Sequence, residues 1–234
     1  MRVNPKLAQP WDVSPAEARD IQCRLHRHVR VSSLVEQPRI VAGVDVSVRQ
    51  GLARSAVVHL SFPGLEPIEA TAAERPATFP YVPGLLAFRE GPVVLEALGK
   101  LEGQLDVMIF DAHGLAHPRR MGLATHMGIL LDIPTVGCAK SRLCGDYTEP
   151  DARRGSWQQL LHGDEVIGAV LRTRQNVKPV FVSVGHRMCL DDAVALVLAC
   201  APTYRLPETT RWAHRVAGGA PLARPALSPV PELS

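Results

Sequence analysis

The stretch IVAGVDVSV, residues 40–48, has the alternation of a β-strand. A period of two places the three later valines on one face and Asp45 on the other, together with a glycine and a serine. Aspartate is rarely buried without a partner, so an acid in the middle of a strand marks a place where something binds. Asp45 is therefore the first candidate for a functional residue.

Outward from this strand, the order of elements indicates an α/β fold. Two further strands, separated by a turn at Phe62-Pro-Gly64, complete a meander, and a helical apolar pattern follows with Gly91-Pro92 predicted to interrupt it next to Glu90. The predicted strands are 56–60, 68–73, 107–110, 134–140, 165–172 and 180–184, and the predicted helices are 85–98, 122–131 and 190–201. Three meander strands followed by alternating helices and strands are the order of a ribonuclease H-like domain, a mixed sheet flanked by helices.

Length and composition favour one domain in a reducing compartment. A chain of 234 residues with 46% apolar content can bury a sizeable core, so we expect a single domain over 1–218 and a disordered Pro/Ala-rich tail over 219–234. The five cysteines show no C-x-x-C spacing, which argues against a disulfide framework and a zinc knuckle. With no apolar signal core and no membrane-length apolar run, we expect a soluble, cytoplasmic monomer.

The net charge of +3 is too small to decide between classes of partner. Nucleic-acid binding would need a local basic patch. Ser14-Pro-Ala-Glu17 has the form of a helix N-terminus, and the helix that follows would expose arginines at 19, 24, 27 and 30. These arginines are either a solvated face or a contact surface for nucleic acid.

A second acid follows an apolar run in VMIFDAHGLAHPRRMG, residues 107–122. Asp111 comes directly after the predicted strand, where catalytic groups often project, and the neighbouring pair Arg119-Arg120 suggests a ligand that carries phosphate. If the strands of Asp45 and Asp111 are parallel neighbours, their carboxylates converge, with Glu90 on the intervening helix as a third acid. Such acids suit Mg²⁺, which takes oxygen ligands in octahedral geometry.

Five blocks, in this order, resemble the endonuclease V family, which nicks nucleic acid near deaminated purines. The blocks are residues 41–47 (VAGVDVS), 80–92 (PYVPGLLAFREGP), 110–122 (FDAHGLAHPRRMG), 137–145 (GCAKSRLCG) and 206–214 (LPETTRWAH). The resemblance covers most of the chain, from about residue 11 to 218. It implies the same ribonuclease H-like fold and a metal-dependent hydrolysis of a phosphodiester bond.

The resemblance implies a metal site made of three acids. Asp45 and Asp111 would bind Mg²⁺, and Glu90 would be the third acid, acting through a water molecule. Mn²⁺ is an expected substitute, because both ions prefer octahedral oxygen sites. A buried, hydrogen-bonded carboxylate without a catalytic part is the alternative for Asp45.

Other family positions imply contacts near the scissile phosphate. His214 would be a general acid or base or a phosphate contact, with a helix cap as the alternative. Lys140 would place a positive charge on a phosphate oxygen, and His117 would face the backbone or the recognition pocket. An exposed strand-end lysine and a loop histidine are the simpler interpretations of these two. Arg119 and Ser183 are further candidates for binding phosphate.

The block Pro80-Tyr-Val-Pro83 matches the family's wedge, in which the ring of Tyr81 would fill the space left by an extruded base. A packed loop aromatic is the simpler interpretation of that residue. The extruded base would be hypoxanthine, which presents a carbonyl and a ring N–H where adenine presents an amino group. Backbone groups around four residues are expected to read that edge: Gly84, Leu85, His113 and Gly114. Leu85 is equally compatible with the core.

One departure from the family concerns Ala112, since many relatives have glycine after the second aspartate. If this position needs a positive φ, alanine would strain the loop by about 1 kcal/mol.

The function expected from the sequence is therefore repair of deaminated DNA. The enzyme would recognise deoxyinosine and hydrolyse the second phosphodiester bond on its 3′ side, leaving 3′-hydroxyl and 5′-phosphate ends. One alternative is an endoribonuclease with the same chemistry whose substrate is inosine-containing RNA. Another is a noncatalytic protein that binds damaged or branched nucleic acid, against which the retained acids count.

Overall fold

The computed structural model describes residues 3–221 and contains five helices and eight strands in that range. The helices are α1 Pro15–His26, α2 Leu86–Gly99, α3 Leu123–Leu131, α4 Leu190–Ala199 and α5 Glu208–Ala217. The strands are β1 Ile40–Arg49, β2 Leu52–Ser61, β3 Pro67–Pro76, β4 Val107–Phe110, β5 Thr135–Ala139, β6 Trp157–His162, β7 Glu165–Leu171 and β8 Val180–His186.

All eight strands form one mixed sheet in the order β3-β2-β1-β4-β5-β8-β7-β6. The predicted meander is confirmed, because β1, β2 and β3 pair antiparallel. β4 joins β1 in parallel, with Val44 beside Phe110, and β5 joins β4 in parallel. The α/β class and the mixed sheet flanked by helices are therefore confirmed.

The alternation within β1 assigns its residues to two hydrophobic layers. Ala42 and Val44 pack with α1, α2 and α3 on one face of the sheet. Val41 faces the layer that contains α4, and α5 packs against β1 and β2 on this same side. Asp45 has the parity of Val41, so its side chain lies on the α5 side of the sheet.

The predicted interruption of the second helix is wrong, because α2 continues through Pro92. Proline at this position removes the hydrogen bond to the carbonyl of Phe88 and costs about 3 kcal/mol in an isolated helix. The buried face of α2 compensates for this cost, since Phe88, Val93 and Val94 are all within the main core.

Three further observations complete the comparison with the expected elements. The sequence patterns missed β6, whose Gln158 and Gln159 are exposed at the edge of the sheet. Most of the predicted disordered tail, residues 222–234, lies outside the described residues. The five cysteines are free, as expected.

No helix within residues 3–221 is long and apolar enough to span a membrane.

Candidate active site

Two carboxylates meet where β1 and β4 run side by side. The parallel pairing ends at Val44 and Phe110, so Asp45 and Asp111 are the next residues on neighbouring strands. The backbone amide of Asp111 donates to the carbonyl of Val44 at 3.0 Å, which extends the pairing by one step. Both aspartate side chains are only 9% exposed. The sheet therefore forces two acids together in a poorly solvated place.

α5 brings His214 to Asp45. A Cβ atom on Gly43 would lie 2.0 Å from the carbonyl oxygen of Thr209, so only glycine lets the start of α5 approach β1 this closely. His214 follows on the same helix, and its Nδ1 lies 2.8 Å from Oδ2 of Asp45. The histidine side chain is 65% exposed, so its other ring nitrogen can reach solvent or a ligand.

β5 brings a cation to the second aspartate. Lys140 follows the last residue of β5, and its Nζ forms an ion pair with Oδ2 of Asp111. Arg205 donates to the backbone carbonyl of Lys140 at 2.6 Å and to that of Pro179 at 2.8 Å. The lysine side chain remains 45% exposed, which leaves it accessible from the surface.

Glu90 completes the set of acids from α2. Burial raises its pKa to about 8, and the negative charges of Asp45 and Asp111 act in the same direction against the nearby Arg89. Burial also raises the pKa of Asp45, reinforced by the charge of Asp111 and opposed by His214 and Lys140. The three acids are therefore near enough to repel one another, and protein cations compensate only part of their charge.

Within residues 3–221, no three His, Cys, Asp or Glu side chains are arranged so that they could hold a metal ion as they stand. The donor chemistry nevertheless fits a hard divalent cation, because two buried carboxylates on adjacent strands destabilise each other and their oxygens are the ligands that such a cation prefers. Asp45 and Asp111 form the core of this donor set. Glu90 lies close enough to add its negative charge.

A small apolar cavity lies at the loop that precedes α2, and His113, two residues after Asp111, is part of its lining. It measures about 120 Å³ and is lined mainly by apolar groups, including Val82, Met121 and Leu143. Tyr81 stands at this cavity and is 72% exposed, so its ring is not packed into the protein. His113 also lines the cavity, and its Nδ1 is buried without a hydrogen-bond partner among the described residues.

The carbonyl of Gly84 fixes the loop that carries Tyr81. It accepts hydrogen bonds from Nε2 of Gln22 at 3.0 Å, Nε2 of His117 at 2.9 Å and Nη2 of Arg119 at 2.8 Å. Gly84 has φ +78°, a conformation that favours glycine, and an added Cβ would lie 2.9 Å from Arg119. This convergence makes the loop a rigid wall of the cavity.

Gln22 is a residue of this network that the sequence patterns missed. It is fully buried in α1, donates a second hydrogen bond to the carbonyl of Met121 at 3.1 Å and accepts one from Nε of Arg119 at 2.6 Å. The one available signal was a glutamine on the apolar face of an amphipathic helix. A buried amide requires partners, and here they belong to the cavity wall.

His117 uses both ring nitrogens within the protein. Nδ1 accepts from the amides of Arg119 at 3.1 Å and Met121 at 3.3 Å, so the proton is on Nε2, which donates to Gly84. Burial lowers the pKa of His117 to about 4, consistent with a neutral ring. His117 thus lines the small cavity, with both of its ring nitrogens engaged in the protein.

Three expected substrate contacts are corrected by their surroundings. Leu85 is buried in the main core and does not line the cavity. Ser183 is fully buried, and its hydroxyl accepts from the amide of Gly114 at 2.8 Å. The carbonyl of Gly114 in turn accepts from the amide of Gly122 at 3.0 Å, so both backbone groups of Gly114 make hydrogen bonds within the protein. These residues support the loop from behind.

The predicted strain at Ala112 is also wrong. Ala112 is not among the positive-φ residues of the described chain and is buried in the core. Within its loop, Arg120 is the residue that adopts a left-handed conformation, with φ +56°. Alanine is therefore compatible with this backbone.

Comparison with known proteins connects this geometry to one family. Residues 23–215 match the family model described as Endonuclease V. Among curated proteins, "Endonuclease V" from Nostoc sp. is 50% identical over 211 residues, which are 89% of this chain and 96% of that protein.

Two solved structures extend the match to the fold. The Streptomyces avermitilis endonuclease V has a TM-score of 0.86 and 44% identity, covering 89% of this chain and 93% of the other. The Ciona intestinalis endonuclease V, in complex with a 24-residue DNA containing an inosine followed by a ribo-adenosine, has a TM-score of 0.76 and 26% identity, covering 87% and 96%.

Proposed function

The chain belongs to the endonuclease V family, and we propose on this ground that it is a divalent-metal-dependent repair endonuclease for deoxyinosine in DNA. It would hydrolyse the second phosphodiester bond 3′ to the lesion and leave 3′-hydroxyl and 5′-phosphate ends. Membership indicates a nuclease, whereas the metal, the lesion and the position of the cut are our proposal. We further propose that it acts as a monomer in the cytoplasm.

The observation that carries the proposal is the pair of buried aspartates flanked by Lys140 and His214. A structural role does not require two mutually repelling acids in one buried place, because that arrangement costs stability. A noncatalytic binding protein would therefore have no need of these two buried aspartates.

Asp45 and Asp111 would hold Mg²⁺, with Mn²⁺ as a substitute and Glu90 contributing through a water molecule. When bound, the ion would lower the pKa of the attacking water and neutralise charge on the phosphate.

Two side chains beside the acids would assist the reaction, Lys140 by its positive charge and His214 by exchanging a proton. The exposed end of Lys140 lies beside Asp111, where its charge can stabilise a phosphate oxygen. Asp45 holds Nδ1 of His214, which leaves Nε2 as the atom that can exchange a proton with the substrate.

Recognition of the lesion would use the cavity beside Tyr81. An exposed ring on a rigid loop can stack in the gap that an extruded base leaves, and a small apolar cavity can accept that base. Because Gly84 and Gly114 already use the backbone groups described above, we assign the reading of the base edge to His113. His113 lines the cavity, and burial lowers the pKa of its ring to about 4, so the ring is neutral and one of its nitrogens can accept the ring N–H of hypoxanthine, a donor that adenine lacks at that position.

The second candidate is cleavage of inosine-containing RNA. The observation that favours it is the Ciona complex, whose DNA carries a ribonucleotide directly after the inosine. A requirement for a 2′-hydroxyl next to the cleaved bond would separate the two substrates.

The deciding experiment is nicking of end-labelled duplexes in Mg²⁺ or EDTA. Matched strands would carry adenine, deoxyinosine, or deoxyinosine followed by one ribonucleotide. We expect a Mg²⁺-dependent cut one nucleotide beyond deoxyinosine, lost in Asp45→Asn and retained in Asp191→Asn, an exposed control in α4. Cleavage of the ribonucleotide strand alone would favour RNA, and tight binding without any cut would refute the nuclease proposal.

A further inference from the structure

Four exposed arginines in and just after the first helix are not used by the active site. α1 begins with a capping box, in which the amide of Ser14 donates to Glu17 at 2.8 Å and the amide of Glu17 donates to the Ser14 hydroxyl at 3.3 Å. The exposed arginines are Arg19, Arg24, Arg27 and Arg30. No ion pair found within residues 3–221 involves any of them. Their charge is therefore available to an external anion.

The buried side of α1 is connected to the recognition cavity. Gln22 contacts the carbonyl of Gly84, which lines the cavity, and the guanidinium of Arg119, which donates to the same carbonyl. Burial lowers the pKa of Arg119, and the positive charge of Arg19 acts in the same direction, which places the two arginines near each other. Arg19, three residues before Gln22 on α1, is therefore the exposed arginine of this helix that lies beside Arg119.

Helical geometry spreads the arginines around the exposed face, with Arg27 about 80° from Arg19 and about 60° from Arg24. Arg27 follows Arg19 by eight residues, about 12 Å along the helix axis. It also lines a cavity of about 300 Å³ at the end of α1, together with Lys6 and Arg30. Arg24 lies about 140° around the axis from Arg19, towards the other border of the exposed face.

We propose that Arg19, Arg27 and Arg119, the arginine track, bind the phosphate backbone of the nucleic-acid duplex next to the lesion. The inference rests on the proposed function, because it names a surface for the same substrate. A separation of about 12 Å corresponds to between three and four base pairs at about 3.4 Å each. Arginine suits this role, since its planar fork binds phosphate oxygens in pairs.

The test is the salt dependence of binding to a fluorescently labelled deoxyinosine duplex in EDTA, where cutting does not interfere. We would compare the wild type with the double variant Arg19→Ala/Arg27→Ala and with Arg24→Ala, which makes the same exchange on the same helix. Arg119 is left intact, because its loss would disturb the cavity wall. Circular dichroism and thermal midpoints would confirm that the variants remain folded.

Each phosphate contact contributes about 0.9 to the slope of log Kd against log salt concentration. We expect the slope of the double variant to fall by about two contacts' worth, and that of Arg24→Ala to remain as in the wild type. Shortening the duplex on one side of the lesion should erase the difference in slope between the double variant and the wild type. The proposal would be refuted if the double variant and Arg24→Ala had equal slopes, or if the slope difference did not depend on the length of the duplex on either side of the lesion.

The wild type's nicking activity, measured on the same duplexes in Mg²⁺, keeps the two proposals apart. A cut next to deoxyinosine together with unchanged slopes refutes the arginine track alone. A reduced slope without any cut refutes the proposed nuclease function and supports the track as part of a binding surface.

Discussion

Replacing His126 by phenylalanine should make the protein less sensitive to acid. His126 is fully buried in α3, and its ring stacks on Trp11 at 5.5 Å and meets Phe88 edge-on at 5.4 Å. Neither ring nitrogen has a hydrogen-bond partner among residues 3–221. Burial lowers the pKa of His126 to about 3 from its ordinary value of 6.5. Phenylalanine preserves the aromatic packing and cannot take up a proton.

The sign and size of the effect follow from proton binding. Below about pH 6.5 the histidine is protonated in the unfolded chain, whereas in the folded protein it stays neutral down to about pH 3. The free energy of unfolding is therefore highest above about pH 6.5 and decreases as the pH falls towards 3. Between pH 7 and pH 4.5, a pKa of about 3 in the folded state corresponds to a loss of about 2.5 kcal/mol from this residue. The other buried histidines contribute equally to both proteins and cancel in the comparison.

Urea unfolding at pH 7 and pH 4.5 measures this difference directly. The free energy of unfolding should fall between the two values by about 2.5 kcal/mol less in His126→Phe than in the wild type. Packing changes caused by the larger ring are the same at both pH values and do not enter. His28→Phe, a change at an exposed histidine, is the control and should follow the wild type. Equal losses in the wild type and His126→Phe would refute the reasoning.

Four further predictions concern the site and its supports. Asp111→Asn should lower the nicking rate at least about 100-fold, the scale of losing a preorganised charge contact, with duplex binding in EDTA retained; a rate near that of the wild type would contradict this. Gln22→Leu should destabilise the protein by about 1–3 kcal/mol in urea unfolding and reduce discrimination between inosine and adenine, because it removes the three hydrogen bonds of the buried amide, with Arg119 and with the carbonyls of Gly84 and Met121. Tyr81→Ala should change stability by less than about 0.5 kcal/mol, since the ring is mostly exposed, but it should impair nicking. Single-turnover nicking at the wild-type rate would refute the wedge role of Tyr81. Gly43→Ala should displace α5 from β1 and lower both the urea midpoint and the rate, whereas Ala42→Gly should leave the rate intact because its position faces the other layer.

The sequence predicted the part of the fold that depends on local periodicity. Alternation in residues 40–48 identified β1 and placed Asp45 opposite the valines, and the apolar run before Asp111 identified β4. The parallel pairing of these strands then brought the two acids together. Edge strand β6 was missed because Gln158 and Gln159 point to opposite faces of the sheet and are both exposed, so the strand lacks a regular alternation of apolar and polar residues there.

What the sequence could not supply was the long-range placement of polar groups. Gln22 and Gly84 are 62 positions apart, and the chemical demand of a buried amide does not say which carbonyl satisfies it. The family blocks included Leu85 and Gly114 among the substrate contacts, yet one lies in the core and the other is used within the loop. A family motif identifies a region that the function requires, whereas only the packing shows which of its residues are free to contact a ligand.

The continuity of α2 explains how one helix serves both halves of the proposed reaction. Arg89 donates to the carbonyl of Phe79 at 2.7 Å, at the start of the loop that carries Tyr81. The next residue, Glu90, lies beside the acids of β1 and β4. This turn is anchored by Phe88, which is buried in the main core, and the helix continues from it to the buried Val93 and Val94. Because the helix continues, the position of the proposed wedge and the position of the third acid are fixed by the same turn, and neither can move without the other.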